Sequence, residues 1–128
     1  MGTTGKKSFD VVRAAARALP DIEDATAWGA HALKARGKLL ACQAIHKSAE
    51  PNSLVVKVSF DQRAELIKDD PDVYYLTDHY VNFPSVLVRL RRIHRDSLRD
   101  LLGISWRFVT EDSATKRRPR RRAPARSA

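Results

Sequence analysis

Asp78-His79-Tyr80 is the stretch that most invites an acid–base mechanism, with His31, His46 and His94 as further imidazoles for a proton relay or a metal site. Neighbours on a strand or loop point apart, so Asp78 is not placed to orient His79, and no serine stands in a nucleophile-elbow context. The histidines show neither an i, i+4 helical pair nor the short carboxylate spacing that metal sites use. His79 reads as a loop or strand-end histidine bonded to backbone. Cys42 is the sole cysteine, which excludes an intramolecular disulfide and any multi-cysteine zinc or iron–sulfur site within the chain. Flanked by Leu39, Leu40, Ala41 and Ala44, it reads as a small buried strand residue rather than a reactive thiol. No catalytic set, metal or cofactor emerges, and the chain is expected not to be an enzyme.

The residues that suit binding are cations. Lys34, Arg36, Lys57, Arg89 and Arg91 alternate with apolar neighbours, an arrangement expected to place them on one exposed sheet face, with Lys38 and Arg92 at its rims. Such a face would follow a sugar-phosphate backbone, as a β-ribbon in a groove does. The competing reading is a solvated face whose cations guard against edge-to-edge association. A second cationic feature is Lys116, Arg117, Arg118, Arg120, Arg121 and Arg122, followed by Arg126 with no intervening acid. Polycations release counterions from almost any nucleic acid, a gain that carries no base information. A nuclear-import signal and a solubilising extension are its other readings. Of the net charge of +9, most belongs to this stretch: positions 1–115 hold 17 basic against 15 acidic residues. Among the aromatics, Trp106 is expected in or beside the core, Trp28 lies at a turn before Gly29, and one of Tyr74 and Tyr75 must face outward, where it would meet a ligand.

The elements that must position these residues follow from periodicity. Ser8 caps an expected helix with the stripe Phe9, Val12, Ala16 and Leu19, and Pro20 ends it. His31 to Arg36 alternates, Gly37 permits a turn, and Lys38 to Ile45 continues as a strand. After a turn at Glu50-Pro51-Asn52-Ser53, Leu54 to Phe60 alternates with Leu54, Val56, Val58 and Phe60 on one face. Ser59 or Asp61 starts a short helix that Pro71 closes. Strands follow near Tyr74 and over Val86–Leu90, then a helix with the stripe Leu98, Leu101, Leu102, Ser105 and Val109. Short turns make the strands antiparallel, and single apolar stripes bring the helices onto one sheet face. The expectation is an α+β fold in the order α-β-β-β(-β)-α-β-β-α, occupying 8–112 as one domain, with a flexible 1–7 and a disordered basic tail at 113–128. No apolar run approaches the roughly 18 residues of a membrane span, and the first residues do not resemble a secretory signal, so a cytoplasmic protein is expected.

The helix ending Ala18-Leu19-Pro20, the hairpin turning at Arg36-Gly37-Lys38, the Lys57 strand, the Pro71 stop, and the Val86–Leu90 strand before Leu98-Arg99-Asp100-Leu101-Leu102 together resemble the MmcQ/YjbR family, over roughly residues 8–110. That resemblance implies a fold like the frataxin (CyaY-like) group and a DNA-binding role through a double-wing arrangement of hairpins; it supplies no catalytic residues. Members often carry Trp where this chain has Ser85. The iron-binding acidic ridge of the frataxin-like fold is not matched, since only Asp21, Glu23 and Asp24 gather after the first helix. The expected function is a non-enzymatic, monomeric module that binds DNA, with RNA as the other nucleic-acid partner, and has no membrane role. The alternative is an adaptor for an acidic protein or a small anion.

Overall fold

Among the described residues six strands pair antiparallel in the order β1-β2-β3-β4-β6-β5: β1 (Ile22–Ala27), β2 (Ala30–Ala35), β3 (Lys38–Gln43), β4 (Ser53–Lys57), β5 (Tyr74–Tyr75) and β6 (Ser85–Arg89). Helix α1 (Thr4–Ala15) precedes them, α2 (Phe60–Asp69) joins β4 to β5, and α3 (Arg95–Arg117) closes the chain. This is the expected α+β order, with the fourth strand of the first group present. The computed structural model describes residues 4–117, and the side chains of residues 9–111.

Alternation in the strands and the helical stripes meet in one core. Phe9, Val12 and Ala16 from α1 and its end, and Leu98, Leu101, Leu102 and Val109 from α3, bury against Leu33, Leu40, Leu54, Val56, Val86 and Val88. Ser105 lies within the α3 stripe yet is fully buried, because its hydroxyl donates to the Leu40 carbonyl at 3.2 Å. Leu66 and Ile67 bring α2 onto the same core. Among the described residues all three helices therefore cover one face of the sheet, and the other face carries none.

Local chemistry sets the boundaries, in places away from where periodicity put them. Helix α1 begins at Thr4, so Ser8 is inside it rather than its cap, and it ends at Ala15, well before Pro20. Strand β4 stops at Lys57 because Ser59 caps α2 in a reciprocal capping box: its hydroxyl accepts from the Gln62 N–H, and the Gln62 side chain accepts from the Ser59 N–H, each at 3.1 Å. Phe60 is consequently the first helical residue, half exposed under Arg63, and not a core strand residue. Strand β6 ends at Arg89, which leaves Arg91 outside it. The α3 backbone continues through Arg117, past the expected boundary at 112, and residues 118–128 of the expected tail lie outside the described residues.

The hairpin turns explain two exposed side chains. Trp28-Gly29 and Arg36-Gly37 all adopt positive φ (52° and 81°, 53° and 81°), the pattern whose twist suits a two-residue hairpin loop. Glycine accepts this freely, whereas Trp28 and Arg36 sit where large L-residues are uncommon. Trp28 is held 78% exposed.

Candidate functional site

On the helix-free face the strands present small residues: Ala25 and Ala27 from β1, Ala32 from β2 and Cys42 from β3, packed with Val55 and Leu87. A sheet face of alanines leaves a shallow floor, and two loops build walls above part of it. Ile45, His46 and Lys47 follow β3, and His79, Tyr80 and Phe83 come from the segment between β5 and β6; Trp28 stands at the β1–β2 turn. Together with Leu39, Cys42, Gln43, Val55, Lys57 and Ser85 beneath, they enclose a groove of about 660 Å3, within the range of small-ligand sites.

Polar contacts hold the walls in place. Arg63 of α2 donates from one terminal nitrogen to the carbonyls of Val81 (3.1 Å), Phe83 (3.0 Å) and Ser85 (3.4 Å), pinning the segment that carries Phe83. His46 and His79 stack with ring centroids 3.5 Å apart and 8° between planes, and Tyr80 meets His79 edge-on at 4.7 Å. The His46 Nδ1 accepts from the Ser48 N–H at 3.0 Å, and the Ser48 hydroxyl lies 2.8 Å from that of Thr77, so the two loops are tied together. Desolvation, then the charges of His79 and Lys47, push the His46 pKa below its usual value. Burial raises the Cys42 thiol to about 11 despite the opposing pull of Lys57, so this floor residue is a neutral apolar contact and no nucleophile near neutral pH.

Among the lining residues are two lysines, two histidines and no carboxylate. The groove thus combines aromatic walls, an apolar floor and cations. The Ser48 hydroxyl lies 2.8 Å from the His46 Nδ1 but is not among the lining residues, and among the described residues no three His, Cys, Asp or Glu side chains gather to hold a metal.

The cations singled out from the sequence disperse. Lys34, Lys57 and Arg89 do share the open face, by strand parity, but only Lys57 lines the groove. Lys34 stands directly opposite Glu23 in the β1–β2 register, which offsets its charge. Arg89 is committed to the framework: Nε and one terminal nitrogen reach both Glu50 oxygens at 2.8 and 2.7 Å. The other terminal nitrogen donates to the carbonyls of Pro71 (3.1 Å) and Asp72 (3.0 Å). Tyr75, the outward tyrosine, lies beneath that guanidinium, and its hydroxyl is bonded to the Ser53 hydroxyl and the Glu50 N–H.

Arg36 and Arg91 depart from the expected face altogether. Positive φ in the turn swings Arg36 to pair with Asp21 at 2.9 Å and to lie over the Trp106 ring on α3, whose indole N–H donates to the Pro20 carbonyl. Arg91 and Arg92 are exposed in the turn between β6 and α3, and Lys38 is half-buried at the start of β3. Lys116 and Arg117 end the α3 backbone, their side chains not described; Arg118, Arg120, Arg121 and Arg122 lie outside the described residues. No continuous basic stripe crosses the described body.

The family model YjbR matches residues 17–108, all of the sheet and most of α3. The chain belongs to the YjbR family. Among solved structures, this YjbR-family chain is similar in fold to the Deinococcus radiodurans protein DR2400, which carries a DUF419 domain. The TM-score is 0.66 at 21% identity, covering 82% of this chain and 80% of that one. It is also 44% identical over 41 residues to the uncharacterized proteins Rv2570 of Mycobacterium tuberculosis and Mb2600 of Mycobacterium bovis. Those matches span 32% of this YjbR-family chain and 32% of each relative's length. Among the described residues no helix is long and apolar enough to cross a membrane.

Trp28 was legible as an aromatic at a turn, whereas nothing in the sequence singled out Ile45, Lys47, Phe83 or the stacking of His46 on His79. One signal was present: Ala25, Ala27, Ala32 and Cys42 alternate with the residues of the core face, marking a second face too small to exclude a ligand.

Proposed function

We propose that this chain is a nucleic-acid-binding module without enzymatic activity, and that it meets unpaired bases rather than the backbone of a duplex. The observation that carries this reading is the groove on the helix-free sheet face, with aromatic side chains, Lys47 and Lys57 and no carboxylate around an apolar floor. An open antiparallel sheet with helices behind it is a recurring platform for splayed bases, which stack on aromatic side chains while cations take the phosphates. Duplex recognition would want a continuous cationic stripe along the body. Arg36 and Arg89 are instead taken up by Asp21 and Glu50. The polycationic sequence from Lys116 onward adds a sequence-independent pull toward either form. This favours strand binding over the duplex role that the family resemblance implies, with DNA and RNA both accepted.

The test is a titration of the full chain with a single-stranded oligonucleotide and with the duplex of the same sequence, over a series of salt concentrations. Tighter binding of the single strand that persists as salt rises supports the proposal. Equal affinities that vanish together at moderate salt refute it, since the sequence-independent cations alone would then account for the binding.

A further inference from the structure

We infer that the groove is a one-base site: it takes a single unstacked nucleobase against its floor, with the adjoining phosphate at Lys47 and Lys57. This deepens the nucleic-acid reading above and rests on it. Size admits the occupant, because about 660 Å3 falls in the range of small-ligand sites and takes a base with its sugar and phosphate. Chemistry selects it. Leu39, Cys42 and Val55 form a flat apolar floor on which a planar ring loses little hydrogen-bonding, and Tyr80 and Phe83 stand beside it. Charge complementarity sets the sign of the attached group, since the lining has lysines and no acid to repel a phosphate.

The site is also built before the ligand arrives. Arg63 fixes the Phe83 segment through three backbone carbonyls, and the Ser48–Thr77 contact ties it to the loop bearing His46 and Lys47. Pre-formed walls spare a ligand the ordering cost that a mobile loop would impose. Trp28, 78% exposed at the open end, is where the neighbouring base of a strand stacks.

The experiment uses the full chain and a fluorescent single-stranded oligonucleotide, competed with adenosine and uridine monophosphates, and with ribose 5-phosphate as a base-free control. The nucleoside monophosphates compete and ribose 5-phosphate does not. Ser85→Leu fills the floor from a position that is 2% exposed and weakens the mononucleotides at least about tenfold, with thermal melting as the check that the fold is kept. Phe83→Ala, at a half-exposed wall residue, carries the test if Ser85→Leu does not fold, and weakens them about three- to tenfold. If the oligonucleotide binds but neither monophosphate competes, the one-base site is refuted and the strand reading stands. If monophosphates bind but oligonucleotides do not, the strand reading falls and the groove is a site for free nucleotides. Ribose 5-phosphate competing as well as the monophosphates refutes any role for the base.

Discussion

Replacing Arg89 with Ala should destabilise this protein by about 2–3 kcal/mol, although the residue lies at a strand end and a quarter of its side chain is exposed. The magnitude follows from what the guanidinium holds. Its pairing with Glu50 is two-pronged but half in solvent, so screening leaves it a minor part. The bonds to the Pro71 and Asp72 carbonyls tie β6 to the turn before β5 and contribute about 1 kcal/mol each. Its position 4.3 Å from the Tyr75 ring centroid adds about 0.5 kcal/mol. These parts share one side chain and are not strictly additive. For a domain of this size the loss lowers the melting temperature by about 8–12 °C. Arg89→Lys keeps the charge without the planar fork and should recover less than half. Arg91→Ala, in the exposed turn after β6, is the control and should change stability by less than about 0.5 kcal/mol. If Arg89→Ala melts within about 2 °C of the parent, as Arg91→Ala does, the assignment of Arg89 to the framework is wrong.

Three further outcomes follow from the same structure. Leu101→Ala, at 1% exposure on the core stripe of α3, should cost about 2–5 kcal/mol in urea unfolding, while Arg99→Ala on the solvent side costs under about 1 kcal/mol; equal effects would mean the stripe is misphased. His46 titrates below 6.5 when folded, so the unfolded chain binds more protons just under that pH. Stability should therefore decline as pH falls below about 6.5, until the folded group is itself protonated, and His46→Gln should remove that slope; Glu50, held low by Arg89, acts only in the more acidic carboxylate range. Removing residues 118–128, which hold five arginines, should leave the melting temperature unchanged and flatten the log–log salt dependence of nucleic-acid binding by about 2–4 units.

How much of this was legible depends on whether the information is local. The α3 stripe announced itself through Leu98, Leu101, Leu102 and Val109 because helical spacing and burial coincide. Ser59 was one of two helix starts the sequence offered, with Asp61, since both halves of its capping box lie within four residues. Strand parity correctly put Arg89 on the face away from the helices, but its partner Glu50 is 39 positions away, and only the fold shows that the cation is already spent. Arg36 misled because alternation presumes extended backbone, and a positive φ in the hairpin turn breaks that rule for a single residue. The groove was hidden for a related reason: its walls come from two loops, and nothing within either loop signals that His46 will stack on His79.

The most direct measurement is the affinity of the full chain for a single-stranded oligonucleotide, at a salt concentration where duplex binding has been lost, in the parent and in Trp28→Ala. Trp28 stands on the open face, whereas Val11→Ala alters a half-exposed residue of α1, on the helical side, and serves as the control. Base stacking on that face predicts a loss of about 1–3 kcal/mol for Trp28→Ala, a factor of about 5 to 150, and none for Val11→Ala. Unchanged binding by Trp28→Ala, or equal losses in the two variants, would contradict it.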